Sequence, residues 1–188
     1  LVLWDFDYTL LADANTDTLV VDKLAPDLAP EWRKMLRAGV SWTECVDRQL
    51  AALHARGFRR DDIACAVASV PIQPEMLAAI DVAHAAGATQ AIVSDANVVF
   101  IGDVLAKHGI ADRFSGGCDS NGGGGDSSGG GSDISGGGGG VHSNGAAYTD
   151  DGRLTVTPYQ PADEPHGCTL CPVNICKGAT GDSVRFTS

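Results

Sequence analysis

The sequence predicts an α/β protein: a parallel sheet core with a small helical cap inserted after its first strand. Two short apolar runs, Leu1–Trp4 and Ala91–Val93, have the composition of strands buried on both faces. Each ends at polar residues and is followed by segments of helical period. Strand–helix alternation builds a parallel sheet, because parallel neighbours need a crossover between them. A chain of 188 residues can bury one proper core, or a core plus a small cap.

The first strand runs into Asp5-Phe6-Asp7-Tyr8-Thr9-Leu10. Two carboxylates, Asp5 and Asp7, stand one residue apart at its C-terminal end, where chemistry gathers in open α/β sheets. Asp13–Asp17 is a polar turn with N-cap candidates, and Leu19, Val20, Val21 and Leu24 form a helical stripe that Pro26 and Pro30 break. Ser41-Trp42-Thr43-Glu44 has the capping-box pattern, so a helix starts there, carries Val46, Leu50 and Leu53, and stops at Gly57. Asp61 or Asp62 caps a further short helix with Ile63, Ala66, Val67 and Val70, ended by Pro71. Residues 12–73 therefore read as an all-helical cap.

Pro74–Ala86 reads as a core helix with Met76, Leu77, Ile80 and Ala83 on one face and Gly87 as terminator. The second buried strand ends at Ser94, and Asn97–His108 is helical, closed by Gly109. From 116 to 140 the composition collapses to Gly, Ser and Asp, too polar to offset its ordering entropy, so a disordered insertion is expected. The G-x-S-x-G at 125–129 has neither the strand nor the helix that a nucleophile elbow needs and reads as a chance match. Asp150-Asp151-Gly152 is a turn signal and Leu154–Thr157 alternates like a strand, which predicts a small hairpin. Residues 1–11 and 74–188 form the core in this reading.

The formal net charge of −11 argues against a nucleic-acid surface, which needs Lys and Arg over an area. Hydrophobic content is 44% and no apolar run approaches a membrane span. Six irregularly spaced cysteines without a signal peptide point to a reduced, cytoplasmic chain. The chain begins at Leu1 rather than Met, which leaves a preceding leader open. Oligomeric state is not legible.

Taken alone, Asp5 and Asp7 read as a metal-binding acid pair. Ser94 reads either as a helix N-cap or as a donor to an anionic ligand, and Asn97 or Asp95 could cap the same helix. Asp17 is a good cap by position, and Lys177 an ordinary lysine. His166, Cys168, Cys171 and Cys176 form a soft-ligand cluster with one C-x-x-C, open to zinc, packed thiols or a redox pair.

The motif Asp5–Leu10 resembles the first motif of the haloacid dehalogenase superfamily. With Asn15–Asp17, Ile92–Asn97, Gly152–Leu154 and Cys171–Lys177, the chain is similar to the phosphoethanolamine/phosphocholine phosphatase family, which also includes pyridoxal-phosphate and pyrophosphate phosphatases. The resemblance implies a Rossmann-like core and a Mg2+-dependent phosphatase acting on a small phosphorylated metabolite. It implies Asp5 as nucleophile and metal ligand and Asp7 as acid/base, with the metal also bound at that position. Ser94 and Lys177 would contact the phosphoryl oxygens, and Asp17, Asp95 and Asn97 the substrate. The superfamily's fourth motif, G-D-G-x-x-D after an apolar strand, is not found. Eleven residues follow Lys177, and Gly181-Asp182-Ser183 lacks both that strand and the later acid. The core is thus expected to be C-terminally incomplete, with Asp182 an open question as a substitute ligand and a truncated, inactive homologue as the alternative.

Overall fold

The computed structural model describes residues 1–114, 140–161 and 163–186. Four strands form one sheet in the order β1 (Val2–Trp4), β2 (Gln90–Asn97), β3 (Gly140–Tyr148), β4 (Leu154–Thr157). The first three run parallel and β4 returns antiparallel to β3 through the Asp150–Gly152 turn, so the expected hairpin forms with β3 as its first arm. The segment 125–129 and nearly all of the glycine-rich tract lie outside the described residues.

The central strand β2 is buried along nearly its whole length. Against expectation, β1 is not: Leu3 is 39% exposed, because among the described residues β1 has a neighbour on one side only. Strand β2 also runs further than predicted. Val93 faces His142 and Asn97 faces Asn144, so β2 spends four steps where β3 spends two. The surplus is a bulge at Ser94-Asp95-Ala96, closed by Asn144 Nδ2 donating to the Asp95 carbonyl at 2.6 Å.

Four helices lie between Leu11 and Ile72: α1 (Thr16–Leu24), α2 (Ala29–Arg37), α3 (Trp42–Ala55) and α4 (Arg60–Ala68). The chain leaves and re-enters side by side, with Ala12 N–H donating to the Pro71 carbonyl and Gln73 N–H to the Leu10 carbonyl. Asn15 caps α1 and Ser41 caps α3 through the N–H groups of Thr18 and Glu44. Two expectations fail here. Pro30 sits in the first turn of α2, where a missing N–H costs nothing, and breaks no helix. Asp61 and Asp62 lie inside α4; Arg59 is the capping residue, and the Asp62 carboxylate takes its N–H at 2.8 Å.

Helices α5 (Pro74–Ala85) and α6 (Val98–His108) flank β2, and α7 (Lys177–Phe186) ends the described chain. Phe100, Ile101, Val104 and Leu105 of α6 pack in one buried cluster with Val20, Val46, Leu50 and Leu53 from the inserted helices and Leu154 and Val156 from β4. Asp47 of α3 ties the insertion to the hairpin: its carboxylate accepts from Val156 N–H at 3.1 Å and pairs with Arg153 at 2.5 Å.

Candidate active site

Beyond β1 the chain makes a tight turn over Phe6–Leu10. Phe6 and Leu10 have no exposed surface and pin it from below. Tyr8 (φ 57°) and Asp13 (φ 49°) hold left-handed conformations that side chains disfavour. Strain of that kind persists only where surrounding contacts over-determine the backbone. Here Leu11 N–H reaches the Phe6 carbonyl and Tyr8 N–H the Ala14 carbonyl.

This turn sets the two acids in different environments. Asp5 Oδ1 accepts from Phe6 N–H at 2.9 Å and from Lys177 Nζ at 2.8 Å, while Oδ2 has no hydrogen-bond partner among the described residues. Asp7 is buried and accepts three bonds at 3.0 Å: Oδ1 from the Thr16 N–H and hydroxyl, Oδ2 from Asn15 Nδ2. Desolvation outweighs those donors, and with repulsion from Asp95 and Asp5 it raises the Asp7 pKa to about 6.

Parallel register brings the second strand end alongside. Trp4 pairs with Ile92, so Asp5 and Ser94 emerge at the same edge of the sheet. Ser94 is fully buried, and its hydroxyl accepts from Ala96 N–H at 3.1 Å within the bulge. Asn97, not Ser94 or Asp95, caps α6, through Oδ1 to Phe100 N–H at 3.0 Å. That leaves Asn97 Nδ2 buried without a partner among the described residues.

Asp17 is the second residue of α1 rather than its cap. It is 4% exposed; Trp42 Nε1 donates to Oδ2 at 2.8 Å and Oδ1 has no bond. The Asn97 amide acts on it from outside hydrogen-bonding geometry. Burial, then repulsion from Asp7 and Asp95, raise the Asp17 pKa to about 7 against the help of Trp42 and Asn97.

Lys177 opens α7. Its ammonium bridges Asp5 Oδ1 at 2.8 Å and Asp95 Oδ1 at 3.5 Å. Burial would lower its pKa, but the two carboxylates more than compensate and hold it above the ordinary lysine value. Asn144 Oδ1 accepts from Asn174 Nδ2 at 2.9 Å and from Tyr159 N–H at 3.0 Å, so the segment before Lys177 is fastened to the same β3 residue that closes the β2 bulge.

Asp5, Lys177 and Asp95 thus meet directly, and Asp7 and Asp17 lie within electrostatic reach of Asp95. Asp182 does not fit the pattern of a fourth motif: it is exposed on α7, a helix rather than a strand end. Sequence reasoning gave no role to Asn144, Asn174 or Trp42. Two of these are buried amides whose partners are 15 or more residues away, a relation no local pattern carries. A cavity of about 390 Å³ opens between the start of α3, β4 and the 172–174 segment. It shares Trp42 with Asp17 and Asn174 with the Asn144 junction.

The model of the family described as Putative Phosphatase matches residues 1–131 and 134–186. A thiamine phosphate phosphatase-like protein of Arabidopsis thaliana is 32% identical over 188 residues, 100% of this chain and 65% of that protein. Inorganic pyrophosphatase 2 of the same plant is 30% identical over 186 residues, 98% of this chain and 56% of that protein. The chain therefore spans less than two thirds of these relatives. Among solved structures, a HAD-family hydrolase from Salmonella enterica serovar Typhi matches with a TM-score of 0.50 at 18% identity, over 83% of this chain and 44% of that one. At that identity the likeness bears on fold, and it agrees with the α/β, Rossmann-like parallel sheet.

Proposed function

The chain belongs to the Putative Phosphatase family, and from that premise we propose that it hydrolyses a small phosphomonoester, or pyrophosphate, through a phosphoryl-aspartate on Asp5. The observation that supports this most is the contact between Asp5 and Lys177 at the sheet's C-terminal edge. A phosphomonoester resists attack because its oxygens repel a nucleophile. Lys177 would neutralise those oxygens while leaving Asp5 Oδ2 free to attack.

In this reading the bond from Asp5 to phosphorus forms as the bond to the leaving oxygen breaks, and Asp7 supplies that oxygen's proton. Water then attacks phosphorus, gives its proton to Asp7 and releases Asp5 and inorganic phosphate. The hydrogen bonds from Asn15 and Thr16 fix the Asp7 carboxyl for both transfers. Ser94, whose oxygen accepts from Ala96, keeps its own O–H to donate to a phosphoryl oxygen.

Mg2+ is the cofactor this reading implies. The Asp5 carboxylate would hold it through the oxygen that does not attack, whereas both Asp7 side-chain oxygens are already engaged, so Asp7 would contribute through its main chain. So few protein ligands would suit Mg2+, which commonly keeps several waters of its own. When bound it would supply further neutralisation of the phosphoryl charge. Four carboxylates around one ammonium favour such a cation.

Residues 12–73 would act as a cap over the core of 1–11 and 74–188, bringing in Asp17. The unpaired oxygen of Asp17 and the Asp95 carboxylate suit a substrate with a cationic group, such as phosphoethanolamine, phosphocholine, thiamine phosphate or pyridoxal phosphate, while the unpaired Asn97 Nδ2 would donate to an acceptor on that substrate. The five cysteines among the described residues are free, which supports a reducing, cytoplasmic setting.

Phosphate release from these esters and from pyrophosphate should require added Mg2+ and stop on chelation. Turnover at an undiminished rate after exhaustive chelation would contradict the metal, and absence of turnover at any metal concentration would leave only binding.

A further inference from the structure

Among the described residues, a compact group of metal-ligating side chains outside the acid cluster lies on the segment leading into α7. One ligand atom each from His166, Cys168 and Cys176 lie within 4.8 Å of one another. The Cys171 thiol joins them, in hydrogen-bonding reach of Cys168, which also reaches Cys176. We propose that His166, Cys168, Cys171 and Cys176 form a structural zinc site that fixes the start of α7 and hence the position of Lys177.

The ring of His166 is set for ligation. The Cys168 N–H must donate, so His166 Nδ1, 3.1 Å away, carries a lone pair. The proton then sits on Nε2, which donates to the Pro172 carbonyl at 3.0 Å. A ligating histidine usually anchors its other ring nitrogen on a carbonyl or carboxylate in this way. Zinc would take the Nδ1 lone pair from the Cys168 amide.

The sulfurs are prepared as well. Leu170 and Cys171 N–H groups point to Cys168 Sγ, and the Lys177 and Gly178 N–H groups, at the open end of α7, point to Cys171 Sγ. Amides aimed at sulfur favour the thiolate at Cys168, whereas at Cys171 they are outweighed by burial and by Cys168, so there the metal itself would displace the proton. Zn–S bonds of about 2.3 Å place tetrahedral ligands roughly 3.8 Å apart, inside the 4.8 Å that bounds the His166, Cys168 and Cys176 ligand atoms, so Cys171 would have to close in on binding. Three thiolates, one imidazole and no position left for water describe a closed, structural zinc site rather than a magnesium or calcium one. Binding expels the thiol protons and leaves one net negative charge, which the α7 N-terminus faces favourably.

Cys176 adjoins Lys177, so metal at this site would hold the Lys177 main chain while Asn174 holds the preceding turn. The link to Lys177 rests on the phosphatase reading; the metal site does not, and it is read without turnover. The reduced chain is analysed for bound metal, then stripped and titrated with Co2+. One zinc per chain, and thiolate-to-cobalt charge-transfer absorption saturating at one equivalent, are expected. Cys171→Ser and Cys176→Ser should lose both, and Cys65→Ser should keep both. Less than about a tenth of an equivalent of zinc together with no cobalt spectrum in the parent chain would overturn the site. So would a disulfide between any two of the three cysteines in protein purified without oxidant, which would identify a redox pair instead.

Discussion

Asp5→Asn is expected to lower phosphate release by roughly 10⁴-fold or more while shifting the melting temperature little. The two effects separate because the substitution is nearly isosteric. An asparagine carbonyl still accepts from Phe6 N–H, so the turn keeps its entry bond. What disappears is the anionic oxygen that attacks phosphorus and the ion pair with Lys177. That pair is partly exposed, 34% on the lysine and 39% on the aspartate, so its loss costs about 1 kcal/mol or less. Lys177 would retain Asp95 at 3.5 Å. Phosphate release and thermal melts on the same preparations check this; turnover within tenfold of the parent would remove Asp5 as nucleophile.

Asp17→Asn should stabilise the protein at pH 8 and leave it unchanged near pH 4. Asp17 ordinarily would titrate at 3.8 and in the fold titrates at about 7. A raised carboxyl pKa means that the folded state prefers the proton. The associated stability is complete below about pH 4 and is lost as pH climbs through about 7. The whole shift corresponds to something on the order of 4 kcal/mol. Asparagine mimics the protonated acid in being neutral, and its carbonyl still accepts from Trp42 Nε1, while the favourable pull of the Asn97 amide on the carboxylate is lost. At 2–4 °C per kcal/mol, the variant should melt roughly 8–16 °C higher than the parent at pH 8. Melting curves that run parallel for the two proteins from pH 4 to 8 would show that Asp17 carries no such load. The same substitution should weaken binding of an ammonium-bearing substrate, since the unpaired oxygen and its charge are gone.

Local chemistry was readable in the sequence where one residue decides one local structure. Ser41 caps α3, Asn15 caps α1, and Gly57, Gly87 and Gly109 all take positive φ at helix ends. Lys177 taken alone reads as an ordinary lysine, and only the family resemblance of its motif brought it to the site of Asp5, where the fold pairs the two. Pro30 misled because proline both breaks helices and opens them, and only the position of α2 decides which. Asp62 misled because an acid serves equally as a cap or three residues beyond one. The bulge at Ser94–Ala96 was illegible because it depends on an amide from β3, and the Asp17 environment because Trp42 comes from a different helix. Contacts made across the fold leave little trace in any single stretch.

The most direct test of the central claim is to quench the chain in acid during turnover and map the phosphoryl group by peptide mass spectrometry. A phosphoryl group on the carboxyl of Asp5, labile to hydroxylamine and missing in Asp5→Asn, is the result predicted. Steady turnover with no adduct on Asp5, or with the adduct on another residue, would contradict it.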